Sequence, residues 1–128
     1  MAAGGVEGLR IFQLAETFAD EVWKELIGWT AFPRDTVGPE LVRAADSVGA
    51  NIAEGHGRYH YREEINFDFY GRGSLKESRY RLRRAHARGI TAEPVFLRLS
   101  GLLDELEPQL NSYINSLRAK ATRVVKER

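Results

Sequence analysis

A stretch of mixed acidic and basic residues, SVGANIAEGHGRYHYREE at positions 47–64, has the residue types of a catalytic loop or a metal site. Its candidate ligands and proton carriers are Glu54, His56, His60, Glu63 and Glu64. Such side chains could bind a metal ion or transfer a proton. The two histidines lie on either side of Gly57, where we expect a helix to break, so they do not share a preformed helix face.

Motifs of known catalytic and metal sites are absent from this stretch. It has no H-E-x-x-H pair, its glycines neither follow a strand nor precede G-K-[ST], and no serine forms a recognisable nucleophile arrangement. The chain has no cysteine and therefore no thiolate nucleophile or ligand. We expect a protein that is not an enzyme and has no metal and no cofactor.

The same stretch can instead be a corner that fixes how two helices meet, and we favour this interpretation. Gly55 and Gly57 would end the first helix, and either could adopt the left-handed conformation of a helix C-cap. Asn51 lies among small residues and, if buried, would fix one helix register through its hydrogen bonds. Glu54 would pair with Arg58 or Arg43 across the turn.

Apolar residues spaced three and four apart predict four helices and no strand. The first begins at Leu9 and ends at Gly28 to Pro33, the second runs from Gly38–Pro39 to Gly55–Gly57, the third from Tyr61 to Arg88, and the fourth opens at Thr91 to Pro94. Gly89 would stop the third helix. Pro108 predicts a kink in the fourth helix or its division in two, because an interior proline removes a backbone hydrogen bond.

Four amphipathic helices with short connections are typical of an all-α, antiparallel up-down four-helix bundle. The chain has 128 residues, of which 43% are hydrophobic, enough for one domain with a core. We expect a flexible N-terminus at residues 1–8 and the bundle at residues 9–126. No stretch reaches the roughly 18 apolar residues of a membrane span, and the absence of cysteine fits a cytoplasmic location.

The third helix carries an unusual excess of cations between positions 72 and 88. One row is formed by Arg72, Lys76, Arg79 and Arg83, and a second by Arg81, Arg84 and Arg88, with Tyr80 between them. These cations could neutralise phosphates while Tyr80 stacks on an unpaired base. They could equally pair with acids of helix 1 (Glu16, Asp20, Glu21, Glu25) or helix 4 (Asp104, Glu105, Glu107). The formal net charge of +1 leaves both alternatives open.

Large aromatic residues are numerous for so small a bundle, which favours a subunit interface over a core that holds them all. They are Trp23, Trp29, Phe67, Phe69 and Tyr70. Gly71 lies inside the third helix, where glycine costs about 1 kcal/mol relative to alanine. Close packing against another helix, or a subunit contact, would explain it.

Three motifs in fixed order resemble the 23S rRNA intervening-sequence protein family. They are FP at Phe32–Pro33, LVRAADSVGANIAEGHGR at Leu41–Arg58 and GSLKE at Gly73–Glu77. The resemblance extends from about Phe12 to Leu117. Its signature residues are Asn51, Glu54, Gly55, Gly57, Arg58, Gly73, Ser74 and Glu77, which we interpret as architectural. The chain departs from the family pattern at Gly71, at Pro108 and in the strongly basic segment at Ser78–Arg88.

The resemblance implies a four-helix protomer that assembles into a homopentameric, barrel-like ring without catalytic residues. A related branch, the accessory variability determinants of diversity-generating retroelements, associates with a reverse transcriptase and binds nucleic acid. We therefore predict a cytoplasmic, ring-forming accessory protein that binds RNA or DNA phosphates through the third helix, with a reverse transcriptase as a candidate partner. The alternative is a scaffold that docks an acidic protein partner without contacting nucleic acid.

Overall fold

The computed structural model describes residues 5–127 as four helices and one short 3-10 turn. The helices are α1 at Arg10–Leu26, α2 at Ala31–His56, α3 at Tyr61–Ala87 and α4 at Glu93–Lys126. Of the N-terminus predicted to be flexible, residues 1–4 lie outside the described residues. The 3-10 turn is Val6–Gly8, and Val6 packs against the core.

The all-α class is confirmed, since the described residues form helices and contain no strand. Each helix packs on the next in sequence, and α1 also packs on α4. The core between them is almost entirely aliphatic, with Phe18 of α1 and Leu41 of α2 fully buried. Within residues 5–127, no helix combines the length and apolar character needed to cross a membrane.

The predicted start of the second helix at Gly38–Pro39 is wrong, because α2 begins at Ala31. Pro33 lies in the first turn, where a backbone N–H has no acceptor within the helix, so it does not end a segment there. Pro39 lies inside α2 and removes only one backbone hydrogen bond. Val37, in the same turn, packs against the core and stabilises the longer helix.

The predicted left-handed C-cap at Gly55 or Gly57 is also wrong. Gly57 has a φ of −80° and a right-handed conformation, and Gly55 is buried within α2. A Cβ atom at Gly55 would lie 2.8 Å from Cβ of Phe67 and 3.0 Å from the carbonyl oxygen of Glu64. The position requires glycine because α3 approaches the backbone of α2, which is a packing constraint and not a conformational one.

The end of the third helix follows the prediction. Gly89 adopts a φ of 75°, the only positive φ among the described residues. The amide of Ile90 then donates to the carbonyl of Ala85 at 2.9 Å, a Schellman closure of the helix end. This turn fixes where the basic face of α3 ends.

A division of the fourth helix at Pro108 is wrong, because α4 is continuous over 34 residues. Leu106 and Leu110, on either side of the proline, are both fully buried. Their packing offsets the loss of one backbone hydrogen bond.

Close packing at Gly71 is confirmed. A Cβ atom there would lie 3.3 Å from the carbonyl oxygen of Val48 and 3.6 Å from Cβ of Asn51. Gly55 and Gly71 thus form two points at which the backbones of α2 and α3 approach each other. Gly73, by contrast, has open space around its Cα.

Gly55→Ala is expected to destabilise the fold by about 1–3 kcal/mol, because the added methyl group meets a Cβ atom and a backbone oxygen that have little room to move. Gly73→Ala is the matched control and should stabilise α3 by up to about 1 kcal/mol, since alanine is the better helix former. Urea unfolding measures both. Equal effects of the two variants would contradict the close approach at Gly55.

Candidate nucleic-acid interface

The buried face of α3 determines where its cations can lie. Leu75, Leu82 and Ala85 are fully buried against the other helices. Residues on either side of this face project along the flanks, so one row of cations borders α4 and the other borders α2. The two rows have different surroundings.

The first row is largely neutralised by α4. The Lys76 ammonium lies 2.6 Å from Oε2 of Glu107, and the Arg79 guanidinium lies 2.8 Å from Asp104 and 3.1 Å from Oε1 of Glu107. The hydrogen bond from Lys76 lowers the pKa of Glu107 below its usual value, and the hydrogen bond from Arg79 acts in the same direction. One carboxylate of α4 therefore holds two cations of the row.

Arg72 is engaged as well, although not by an acid. Its guanidinium donates to Oδ1 of Asn111 at 3.0 Å and lies 4.7 Å from the centre of the Phe69 ring. Arg118 of α4 lies 5.0 Å from the same ring. The first three members of the row, from Arg72 to Arg79, thus fasten α3 to α4.

On the other flank, Arg81 belongs to a network between α2 and α3. It lies 3.7 Å from Glu40 and 3.5 Å from Glu77, and Arg43 of α2 pairs with both of these carboxylates. The hydrogen bond from Arg43 is the main reason that the pKa of Glu40 is lowered. Sequence reasoning sought the partners of these arginines on helices 1 and 4 and missed Glu40.

Three arginines near the end of α3 have no carboxylate partner among residues 5–127: Arg83, Arg84 and Arg88. Arg83 and Arg88 are exposed and Arg84 is half-buried. The C-terminus of a helix carries about half a negative charge, which offsets only part of their three positive charges. They remain the concentrated positive charge on α3.

Two of these arginines, Arg84 and Arg88, line a groove of about 530 Å³ between the first half of α2 and the second half of α3. Its lining residues are Phe32, Pro33, Thr36, Val37, Glu40, Tyr80, Arg81, Arg84, Arg88 and Ile90. The Phe32 ring is 79% exposed and Tyr80 is 49% exposed. Glu40 is the one carboxylate of this lining, and it is paired as described above. The groove thus offers cations and aromatic surface together.

The signature residues of the α2–α3 corner make structural contacts. Arg58 lies 2.9 Å from Glu54, which confirms the expected ion pair, and its guanidinium lies 4.6 Å from the centre of the Phe67 ring. Asn51 donates to the carbonyl of Ser47 at 2.8 Å, one turn earlier in the same helix. This bond lies within α2, so it does not fix the register of α2 against another helix, as had been expected of Asn51.

The remaining signature residues lie along α3. Glu77 pairs with Arg43 and so connects α3 to α2. The carbonyl of Ser74 accepts a hydrogen bond from the Ser78 hydroxyl at 2.8 Å. Gly73 is exposed and has no neighbour that would exclude a side chain.

The residues considered for catalysis have separate partners. His56 is half-buried, with Nδ1 3.7 Å from Oε2 of Glu64, while the exposed His60 ring contacts the Tyr59 ring edge-on at 4.8 Å. Glu54 is held by Arg58. Among the described residues, no group of three or more histidine or acidic side chains could hold a metal ion.

A second cluster of chemistry-bearing residues lies inside the bundle, and sequence reasoning missed it. Asp68 of α3 is fully buried, and neither carboxylate oxygen has a hydrogen-bond partner among residues 5–127. Burial, with a smaller contribution from Glu64, raises the pKa of Asp68 to about 7. The Tyr113 hydroxyl of α4 donates to Glu64 at 2.6 Å, and burial together with this bond raises the pKa of Tyr113.

Two signals in the sequence could have identified the missed residues. Asp68 follows Ile65 by three positions and precedes Leu75 by seven, so it falls on the apolar face of α3. Phe32 was named only as part of the FP motif, because the start of α2 was placed at Gly38–Pro39. A helix that begins at Ala31 brings Phe32 to the groove.

Residues 7–112 match the family model described as 23S rRNA-intervening sequence protein. The match includes α1, α2, α3 and the first half of α4, and therefore the whole groove. No curated protein matches the chain.

The free energy of unfolding of Asp68→Asn, relative to that of the unaltered protein, is expected to increase as pH rises from about 5 to 7. Above about pH 7 the difference should stay constant. The folded protein keeps a proton on Asp68 up to about pH 7, whereas the unfolded chain releases it near pH 4, so ionisation disfavours folding more strongly as pH rises through this window. Urea unfolding at pH 5, 6, 7 and 8 measures the difference.

The exposed Asp46 supplies the control, because Asp46→Asn makes the same chemical change at the protein surface and so shows what the substitution does without burial. Glu64 on α3, Tyr113 on α4 and His56 on α2 surround the cluster and are present in all three proteins, so the comparison isolates Asp68. A pH-independent difference for Asp68→Asn would contradict a protonated carboxyl in the core.

Proposed function

The chain belongs to the 23S rRNA-intervening sequence protein family, and we propose that it is a non-enzymatic accessory protein that binds nucleic acid through the C-terminal half of α3. The binding surface consists of Arg83, Arg84 and Arg88 together with the adjoining groove. Phosphate contacts supply most of the affinity, and no base-reading module gives it sequence specificity.

One observation carries this proposal: Arg83, Arg84 and Arg88 lack acidic partners among residues 5–127, while Lys76, Arg79 and Arg81 of the same helix have them. Lys76 and Arg79 are held by Glu107, and Arg81 lies near Glu40 and Glu77. A solvated helix face normally mixes both signs of charge. The proposal therefore rests on the end of α3, and not on the row from Arg72 to Arg79.

We further propose an antiparallel up-down bundle that assembles into a homopentameric ring. Two ion pairs support the bundle order: Arg10 near the start of α1 lies 2.8 Å from Glu105, and Glu21 near its end lies 3.3 Å from Arg98. Advancing along α1 thus means going back along α4. A ring repeats a modest basic surface five times, and such repetition raises avidity without new contacts.

Exposed aromatic side chains are consistent with this assembly. Trp23 and Tyr70 are exposed and Phe67 and Phe69 are half-buried, while Trp29 is buried in the core. A subunit interface would cover the exposed ones. The native mass of the assembly tests the pentamer directly.

A reverse transcriptase as partner and a cytoplasmic location stay predictions. The second candidate function, a scaffold that docks an acidic protein, relies on the same arginines, because carboxylates and phosphates both pair with guanidinium groups. The two functions differ in ligand, so direct measurement with nucleic acid separates them.

The triple variant Arg83→Gln, Arg84→Gln, Arg88→Gln is expected to weaken binding of a 20-nucleotide RNA or DNA at least 10-fold at low salt. The slope of log affinity against log salt should fall by about 1 for each arginine that contacts a phosphate. Fluorescence anisotropy across a salt series measures both quantities.

The triple variant Lys120→Gln, Arg123→Gln, Lys126→Gln is the charge-matched control, since it removes three exposed cations from the end of α4. It should retain most of the affinity. Equal losses in the two triple variants would mean that net charge alone attracts the nucleic acid, and no loss in the α3 variant would overturn the proposed surface.

Glu40→Gln is expected to strengthen nucleic-acid binding by roughly 2- to 10-fold. The substitution removes the one carboxylate of the groove and frees Arg81 and Arg43 from one of their acidic partners. The gain should disappear at high salt. Unchanged or weaker affinity would place the bound phosphates away from the groove.

A further inference from the structure

We propose that the groove between α2 and α3 selects single-stranded nucleic acid by holding one unpaired base against Phe32. This inference rests on the proposed function, because it takes the phosphate contacts of Arg84 and Arg88 as given. It adds the class of nucleic acid and a base-contacting residue. Neither follows from positive charge, which attracts duplexes and single strands alike.

Phe32 is available to stack on a base. The residue is 79% exposed, and its ring makes no ring–ring or cation–π contact with any described residue. Phe32 also lies in the first turn of α2, so its backbone is fixed by the helix. The Thr36 hydroxyl donates to the Phe32 carbonyl at 2.6 Å and further fixes this turn. A rigid aromatic platform facing solvent can stack on a base without first losing another partner.

The groove combines apolar and cationic groups. Val37 and Ile90, both packed against the core, line it together with Pro33. Arg84 and Arg88 line the same groove, and neither has a carboxylate partner within residues 5–127. A nucleotide has this same division, with an apolar base face at one end and a phosphate at the other.

The groove is large enough for a nucleotide. Its volume is about 530 Å³, and it is open to solvent. This lies within the range of about 300–1,000 Å³ of pockets that bind small molecules, which suffices for a nucleotide. A duplex keeps its bases stacked inside, so Phe32 would meet only its sugars and phosphates. Only an unstacked base can enter the groove and cover the ring.

Tyr80 has a supporting role in this arrangement. Its ring centre lies 5.7 Å from the Arg81 guanidinium and 5.8 Å from that of Arg83. The faces of Tyr80 are thus shared with cations, whereas Phe32 is not engaged. We therefore assign the base contact to Phe32, and we assign to Tyr80 the positioning of Arg83.

The test compares the unaltered protein with Phe32→Ala and Phe32→Trp on a 20-nucleotide single strand and on the duplex of the same sequence, by anisotropy at fixed salt. Phe32→Ala should weaken single-strand binding about 5-fold or more, the loss of one stacked base, and leave duplex binding within 2-fold. Phe32→Trp should keep the single-strand affinity of the unaltered protein, because tryptophan also stacks on a base. Circular dichroism and the unfolding midpoint check that both variants are folded.

The outcomes separate this inference from the proposed function. Suppose that Phe32→Ala leaves the affinities for single strand and duplex unchanged, or lowers both equally, while the triple arginine variant of α3 lowers both. The groove then does not hold a base, but the arginines still bind nucleic acid. If the triple arginine variant has no effect on either ligand, the proposed function itself fails. Tighter binding of the duplex than of the single strand by the unaltered protein would also overturn the inference.

Discussion

The close approach of α2 and α3 is the constraint on which the candidate site depends. At Gly55 and Gly71 the two backbones come so near that a methyl group would meet a neighbouring backbone oxygen. This approach brings the first half of α2 alongside the end of α3, which places Phe32 and Glu40 beside Arg84. Without it the groove would widen, and the arginines and the aromatic ring would belong to separate surfaces.

The cations of α3 serve two purposes because the helix has two different neighbours. Towards α4, acids and an amide take up Arg72, Lys76 and Arg79, so these residues act as fasteners within the bundle. Towards the end of α3, residues 5–127 supply no carboxylate for Arg84 or Arg88. Identical residue types thus differ in role according to what the adjoining helix presents, which composition and net charge cannot reveal.

The helix count, the end of α3 at Gly89 and the close packing at Gly71 were predictable, because local spacing and glycine chemistry determine them. The start of α2 was not, since it depends on tertiary packing that offsets a proline. At Pro108 the sequence left open a kink or a division, and the packing of Leu106 and Leu110 keeps α4 undivided. The candidate site was likewise predictable only in part. Its cations were visible in the sequence, but which of them remain unpaired depends on contacts between distant residues, as Lys76 with Glu107 illustrates.

The double engagement of Glu107 has a consequence for how this surface could change. Its two oxygens bind Lys76 and Arg79, and a carboxylate tethered in the same chain outcompetes phosphates arriving from solution. Lys76 and Arg79 would therefore become available to other anions only if Glu107 were lost. A single replacement of Glu107 by a neutral residue would leave Lys76 without an acid among the described residues and Arg79 with only Asp104, and the exposed positive charge of α3 would then extend back from Arg88 to Lys76. A protein of this fold without this acid would therefore present a longer positive surface.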